Sequence, residues 1–318
     1  MKTKKTISAI AVLMLITAAG RICAQDLHLS QYDAAPVILN PSLTGMFDEQ
    51  KYRGATQFRS QWSPAGCNYT TTTFSYDMYL NERWGVGGYI INDDASQFFN
   101  SFSFVLSGAY RISEPGQKKL KLYTGLQLGL INKSTKDYKL VFDNQYDNGN
   151  FDPDLPSGEN FANLHRLLPE VNYGIYYEGA YNEDKLFPYA GFTISHITYP
   201  KQSFCGSPDS HLPLKYLLHA GARYLVNEDF TINPKFLFMK QRTATEIMPG
   251  INLMYDFKDK EMTGMLGFNY RIKDAAIFNA GFRYKNVSYL LSYDMTVSYL
   301  KEYTHTLGGL EFAVVFNK

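Results

Sequence analysis

A chain of 318 residues, 45% hydrophobic and only 19% charged, has room for one large domain or two ordinary ones. Tyr 25, Phe 22 and Gly 24 against Trp 2 form a strand-biased mixture that argues against a helical bundle and against disorder. The net charge is +1, and leaving out Lys2, Lys4, Lys5 and Arg21, which all precede Asp26, makes it −3; a nucleic-acid partner held by phosphate neutralisation is excluded.

The first 24 residues read as a secretory signal peptide. Three lysines open the chain, Ile7 to Ala19 carry no charge, and small or neutral residues lead to Cys23-Ala24-Gln25. Ile22 stands where a lipobox wants a small residue, so Cys23 is expected to leave with the signal and Gln25 to begin the mature chain. No later apolar run is long enough for a transmembrane helix. That leaves a soluble exported protein or a β-barrel, whose alternating spans escape hydropathy scans.

Residues 25–50 come next, with Pro36, Pro41 and Gly45 breaking any long helix. Val37, Ile38, Leu39, Leu43 and Met46 make the segment too apolar for a free tail, so it is expected to dock in or under a lumen as a plug.

From residue 51 to 318, period-two alternation predicts fourteen strands, within a range of 12–16: 52–62, 68–80, 84–93, 101–112, 120–131, 170–181, 186–196, 214–226, 229–240, 246–257, 260–271, 275–285, 286–297 and 306–316. In 120–131, for example, Leu120, Leu122, Leu126, Leu128 and Leu130 oppose Lys121, Tyr123 and Gln127. Every second connection is short and polar, such as Asn81-Glu82-Arg83, Asn227-Glu228 and Lys258-Asp259. The intervening set holds the long loops 132–169 and 197–213. Sorting by parity is the habit of an outer-membrane barrel with short periplasmic turns; a sandwich has no reason for it. The predicted fold class is therefore all-β, a transmembrane antiparallel barrel.

The same parity sends Arg53, Arg59, Arg111, Lys121, Arg223, Lys235, Arg271 and Arg283 inward. Asp77, Glu170, Glu178, Glu246, Asp256, Glu261, Asp294 and Glu311 face them. Equal numbers of both signs fit a filled interior better than a selective pore. In the first hairpin, paired residues should sum to about 130, which sets Arg53 opposite Asp77.

Signs of chemistry are sparse. The six histidines show no HExxH and no metal-type pairing, and there is no GxSxG, so neither an enzyme nor a cofactor is expected. Asp143, Asp147, Asp152 and Asp154 lack a calcium-loop register and read as a solvated outer loop. Within that loop Phe142, Tyr146 and Phe151 are candidates for docking a protein. Cys67 and Cys205 fall in separate outer connections, and their distance in barrel order disfavours a bridge.

The motifs resemble those of a known family. Gln31-Tyr32, Pro36 and Asn40-Pro41-Ser42-Leu43-Thr44-Gly45 precede a first strand with Arg53, Arg59 and Gln61-Trp62-Ser63-Pro64. Tyr289, Ser292-Tyr293-Asp294 and Gly308-Gly309-Leu310-Glu311 close the chain. Together these resemble the PorP/SprF family of type IX secretion proteins, with Ser42 in place of the usual Ala and Leu310 where His is common. The resemblance implies a Bacteroidota outer-membrane barrel supporting export or surface attachment of secreted cargo with a type IX C-terminal domain, including gliding adhesins. Its implied partners are that cargo, periplasmic peptidoglycan-binding components and outer-membrane lipid. The rival is a fatty-acid-transporter-like barrel channel for a hydrophobic ligand, which would need an apolar inner pocket.

Overall fold

The computed structural model describes all residues except 1–25, 48–49, 62–68, 96–97, 118, 137–140, 148–149, 159–163, 205–209, 300 and 302–305. The signal-peptide segment, Trp62, Cys67 and Cys205 therefore lie outside the described residues. Fourteen antiparallel strands close into one barrel, each pairing with its neighbours in sequence and the last returning to the first. They are β1 (Tyr52–Gln61), β2 (Tyr69–Tyr79), β3 (Trp84–Ala95), β4 (Phe99–Arg111), β5 (Leu120–Thr135), β6 (His165–Gly179) and β7 (Leu186–Ser195). β8 (Lys215–Leu225), β9 (Phe230–Gln241), β10 (Ala244–Phe257), β11 (Met262–Arg271), β12 (Ala275–Tyr284), β13 (Val287–Thr296) and β14 (Leu307–Asn317) complete the wall.

Alternation explains the wall. In β2, Phe74, Tyr76 and Met78 point outward and are exposed, while Thr71, Thr73, Ser75 and Asp77 are buried in the lumen. Exposed aromatic and aliphatic side chains recur around the outside, as lipid requires, where a charge near the midplane would cost ~2–4 kcal/mol. Much of the inside is polar, with Gln57, Arg59, Gln127, Asn269 and Glu311 almost fully buried. Among the described residues no helix is long and apolar enough to cross a membrane; the strands make the crossing.

One face carries the short turns 80–83, 112–119, 180–185, 226–229, 258–261 and 285–286, and β1 begins and β14 ends there. By the barrel rule this is the periplasmic face, and the long connections 136–164 and 196–214 lie on the outer one. The longer of the two is shorter than the sequence-based bounds 132–169, because β5 extends to Thr135 and β6 starts at His165. There Lys133 pairs with Arg166 and Ser134 with His165, and the outward positions Asn132 and Ser134 are polar. Strand pairing continues past the lipid, so the apolar alternation that marks a span stops before the strand does.

Glu261 needs a correction. It is not a lumen residue but a turn residue in the left-handed region (φ 49°) between β10 and β11, exposed beside Lys285 at 3.6 Å. Period-two alternation runs on through this turn, which is why the sequence alone extends β11 back over it.

Candidate functional site: the plugged lumen

Residues 26–46 thread the barrel from its outer end to its periplasmic end. At the outer mouth the Asp26 N–H donates to Gln241 Oε1 at 2.9 Å. Its carboxylate meets His196, just beyond β7, and Lys215 at 3.3 Å. Deeper, the backbone N–H groups of Ser30 and Gln31 donate to the two oxygens of Glu311 at 2.8 and 3.0 Å. Asp33 pairs with Lys235 at 2.7 Å.

A single helical turn follows, α1 (Pro36–Leu39), opened by its proline. Val37 is fully buried against Tyr89, Ile91 and Val105, while Leu39 joins Leu217, Leu237, Met239 and Met248. Asn40 then caps a 3-10 turn at Pro41–Leu43, its side-chain oxygen accepting the Ser42 N–H at 3.0 Å and the Ser42 hydroxyl at 2.6 Å. Its amide donates to the Ile175 carbonyl at 3.0 Å and lies 3.2 Å from His219 Nε2. The wall makes room with glycines. A Cβ on Gly125 would stand 2.3 Å from the Pro41 carbonyl carbon, and one on Gly174 2.2 Å from Asn40 Oδ1. Any side chain at either position would evict the turn.

The densest electrostatics surround Ser30. Arg59 Nη2 lies 2.8 Å from Asp294, and Nη1 lies 3.0 Å from Glu311 and 2.6 Å from Ser30 Oγ. Ser30 Oγ donates to Asp294 at 2.7 Å. Arg271 reaches the same hydroxyl at 3.1 Å, with Asp294 and Glu246 each 3.4 Å away. Two cations, three carboxylates and one plug hydroxyl thus tie β1, β10, β11, β13 and β14 to the N-terminal segment.

At the periplasmic end β1 and β2 pair with residue numbers that sum to 130, so Arg53 faces Asp77 with Nη2 2.6 Å from Oδ2. Asp77 also accepts the Gly45 N–H at 2.7 Å, so the pair secures the plug's exit as well. Asn at this position still accepts that bond but leaves Arg53 without its counter-charge. Asp77→Asn is expected to destabilise the barrel by about 1–2 kcal/mol more than Asp77→Asn combined with Arg53→Gln, read as a double-mutant cycle on heat-modifiable gel mobility. Strictly additive effects would count against the pair.

The structure brings Asn40, Pro41, Gly45, Arg53, Arg59, Asp77, Asp294 and Glu311 onto one plug–wall interface. Tyr293 is not part of it and faces outward. Phe142, Tyr146 and Phe151 lie apart on the outer face, where Tyr146 and Phe151 are partners in two short antiparallel strands, with centroids 5.8 Å apart and both rings half-exposed. Sequence reasoning missed Ser30, Lys215 and His219 as partners of the plug; their inward parity was the available signal for the last two. Among the described residues no group of His, Cys, Asp and Glu is placed to hold a metal ion.

The outer latch titrates. Burial works against a charged His196, but Asp26 and Glu170 (2.8 Å from Nδ1) overcome it and raise its pKa from 6.5 to about 9. Burial likewise opposes the Asp26 charge, and Lys215 and His196 prevail, holding it well below the usual 3.8. The histidine's contribution is therefore complete below pH 6.5 and lost as pH rises through about 9; that of Asp26 persists above pH 3.8. Amide exchange over residues 27–30, corrected for intrinsic rates, should accelerate between pH 6.5 and 9, and His196→Gln should abolish that dependence. A flat profile in the parent protein would rule the latch out.

The barrel is similar in structure to two solved transporters. The toluene transporter TbuX of Ralstonia pickettii aligns with 10% identity and a TM-score of 0.51 over 89% of this chain and 92% of its own. The Pseudomonas putida toluene transporter TodX aligns with 11% identity and a TM-score of 0.52 over 92% and 94%. At such identity these likenesses establish the fold, an outer-membrane barrel, and nothing about cargo. No curated protein matches the chain significantly. The sequence itself goes further. Residues 22–309 match the family described as type IX secretion system membrane protein PorP/SprF. With the lumen, its plug and the motif positions in place, the match spans nearly the whole chain: it belongs to the PorP/SprF family of type IX secretion system membrane proteins.

Proposed function

We propose that this barrel is a docking protein rather than a conduit, receiving secreted cargo on its outer face and type IX machinery on its periplasmic one. The plug carries this reading. Bonds at the outer mouth, at Ser30, at Asn40 and at Gly45 hold the chain's own N-terminal segment across the full depth of the lumen. A plugged barrel is a rigid scaffold with two faces, and function on such scaffolds concentrates in the loops. The long outer loops, with Phe142, Tyr146 and Phe151, are the cargo platform, the cargo being a protein with a type IX C-terminal domain of the gliding-adhesin kind. The rival channel for a hydrophobic ligand has the fold of the toluene transporters in its favour, but here the chain's own plug occupies the lumen, held by ion pairs around Arg59 and by apolar packing of Val37 and Leu39 on the wall. No catalytic step is assigned.

Deleting 143–154 tests the outer half. Barrel assembly should persist, and surface display of the cargo should fall at least about tenfold, as for the loss of an interface hot spot of ~1.4 kcal/mol or more. Undiminished display would move the docking site off this loop.

A further inference from the structure

The barrel wall is not level at its outer rim. β5 and β6 pair as far as Ser134 and His165, whereas β6 and β7 pair only from Glu178–Tyr189 to Tyr173–Ile194. β7 stops at Ser195 and the chain turns off at His196, which holds φ 61°. Residues 165–172 of β6 therefore have a strand on one side only, an edge standing above the closed wall. Pro169 fits this place, because a sheet tolerates a residue without an N–H where no neighbouring strand needs that donor.

The lower part of this edge is capped. The Ile197 N–H donates to the Val171 carbonyl at 3.0 Å, and the Thr198 hydroxyl to the Pro169 carbonyl at 2.6 Å. Backbone groups alternate sides along a strand, so Leu167 and His165 turn theirs the same way as Pro169 and Val171. Over its described residues the loop does not follow them. It crosses to the lumen side, where Arg166 Nε donates to the Ser203 carbonyl at 2.6 Å and Lys133 to Gln202 at 2.9 Å. Phe204 there meets Phe99, which lies opposite the buried Thr135, with centroids 6.2 Å apart. Among the described residues nothing bonds the β7-facing N–H and C=O of Leu167. Its side chain, opposite Asn132 and beyond the lipid-facing stretch, is 65% exposed. A lipid tail has no hydrogen bonds to offer such an edge, and a helix has already paired its own backbone. An extended chain supplies N–H and C=O at the matching spacing and lays alternate side chains on the same face as Leu167.

We propose that the β6 edge above Pro169 is where a secreted protein adds an extended segment as a short extra strand, hydrogen-bonded to Leu167 and His165 and placing an apolar side chain against Leu167. The proposal rests on the docking reading and gives its outer half a backbone site beside the 136–164 loop. The native outer membrane carrying the full-length protein with benzoylphenylalanine at the exposed His165 provides the test. Irradiation should give an adduct that maps to one segment of a secreted protein. Leu167→Pro removes the edge N–H but no bond to β5, so the adduct should fall at least tenfold; Leu167→Ala keeps the N–H and should lose far less. Heat-modifiable mobility confirms that both variants are folded. Should Leu167→Pro misfold, the parent protein decides: the Leu167 amide should exchange at least tenfold more slowly in the complex isolated gently from the membrane than in the barrel alone. Equal loss in the two variants, equal exchange in the two preparations, or an adduct only to this chain's own loops, a second copy or lipid overturns the edge site. Cargo display separates the two levels. Normal display with Leu167→Pro but none on deleting the whole chain refutes the edge site and leaves the docking reading standing; normal display without the chain refutes the reading itself.

Discussion

Replacing Arg59 by Leu is expected to lower the barrel's unfolding free energy by about 3–5 kcal/mol, the usual cost of removing one partner from a buried ion cluster. Arg59 is 1% exposed and lies between Asp294 and Glu311, themselves 2% and 0% exposed. Leu fills part of the volume but leaves two carboxylates facing each other across a lumen with little water. Arg271 compensates only one side, since its short contacts go to Asp294, Glu246, Asp274 and Ser30 and not to Glu311. The plug suffers too, because Ser30 and Gln31 donate to Glu311 and Ser30 to Asp294, and protonation of either acid weakens that grip. Arg59→Lys should fall in between: it keeps the charge but a single ammonium cannot fork to two acids and a hydroxyl. The temperature at which the folded gel band disappears should therefore be highest for the parent protein, lower for Arg59→Lys and lowest for Arg59→Leu. An Arg59→Leu protein within about 1 kcal/mol of the parent would show that the cluster is solvated and contributes little.

How much of this was legible depends on range. Period two is local, so strand positions, lumen parity and the Arg53–Asp77 register could be read directly from neighbouring segments. The ends of β5 and β6 could not, since outward polarity returns once a strand leaves lipid while pairing continues. The Ser30–Glu311 contact joins residues 281 apart, and it exists only because β14 closes on β1. A parity list can say that Arg59, Asp294 and Glu311 face inward; it cannot say that they converge at one height around a backbone segment. Glycines were the least readable of all. Gly125 and Gly174 look like ordinary weak points in strands, and their reason appears only when the Asn40–Pro41 turn is seen resting on them. The direction of the plug, outer end first, also had no sequence signal, because Asp26 finds Lys215, Gln241 and His196 from three separate elements.

Gly85→Val should expel the plug's exit while leaving the barrel closed. The backbones of Gly45 and Gly85 touch here: a Cβ on Gly85 would lie 2.1 Å from the Thr44 carbonyl oxygen and 2.8 Å from Gly45 Cα. Gly45 cannot yield by changing residue or conformation, since it holds φ +62° and a Cβ of its own would come within 2.1 Å of the Met78 carbonyl oxygen. Nor can β3 retreat, being paired on both sides along its length. The weaker attachment therefore gives way. The segment from Asn40 to Gly45 is held by the Asp77, Ile175 and Ser107 bonds, each worth about 0.5–3 kcal/mol net, against contacts no real Cβ tolerates. Backbone amides of Leu43, Thr44 and Gly45 should exchange at least a hundredfold faster, while amides of β2 and β3 keep their protection. Gly108→Val is the control, because a Cβ there meets nothing within 4 Å and should change exchange and stability by no more than ~0.5 kcal/mol. Protection at 43–45 that survived Gly85→Val would mean the plug leaves the barrel by another path, and the close passage between Gly45 and Gly85 would have to be abandoned.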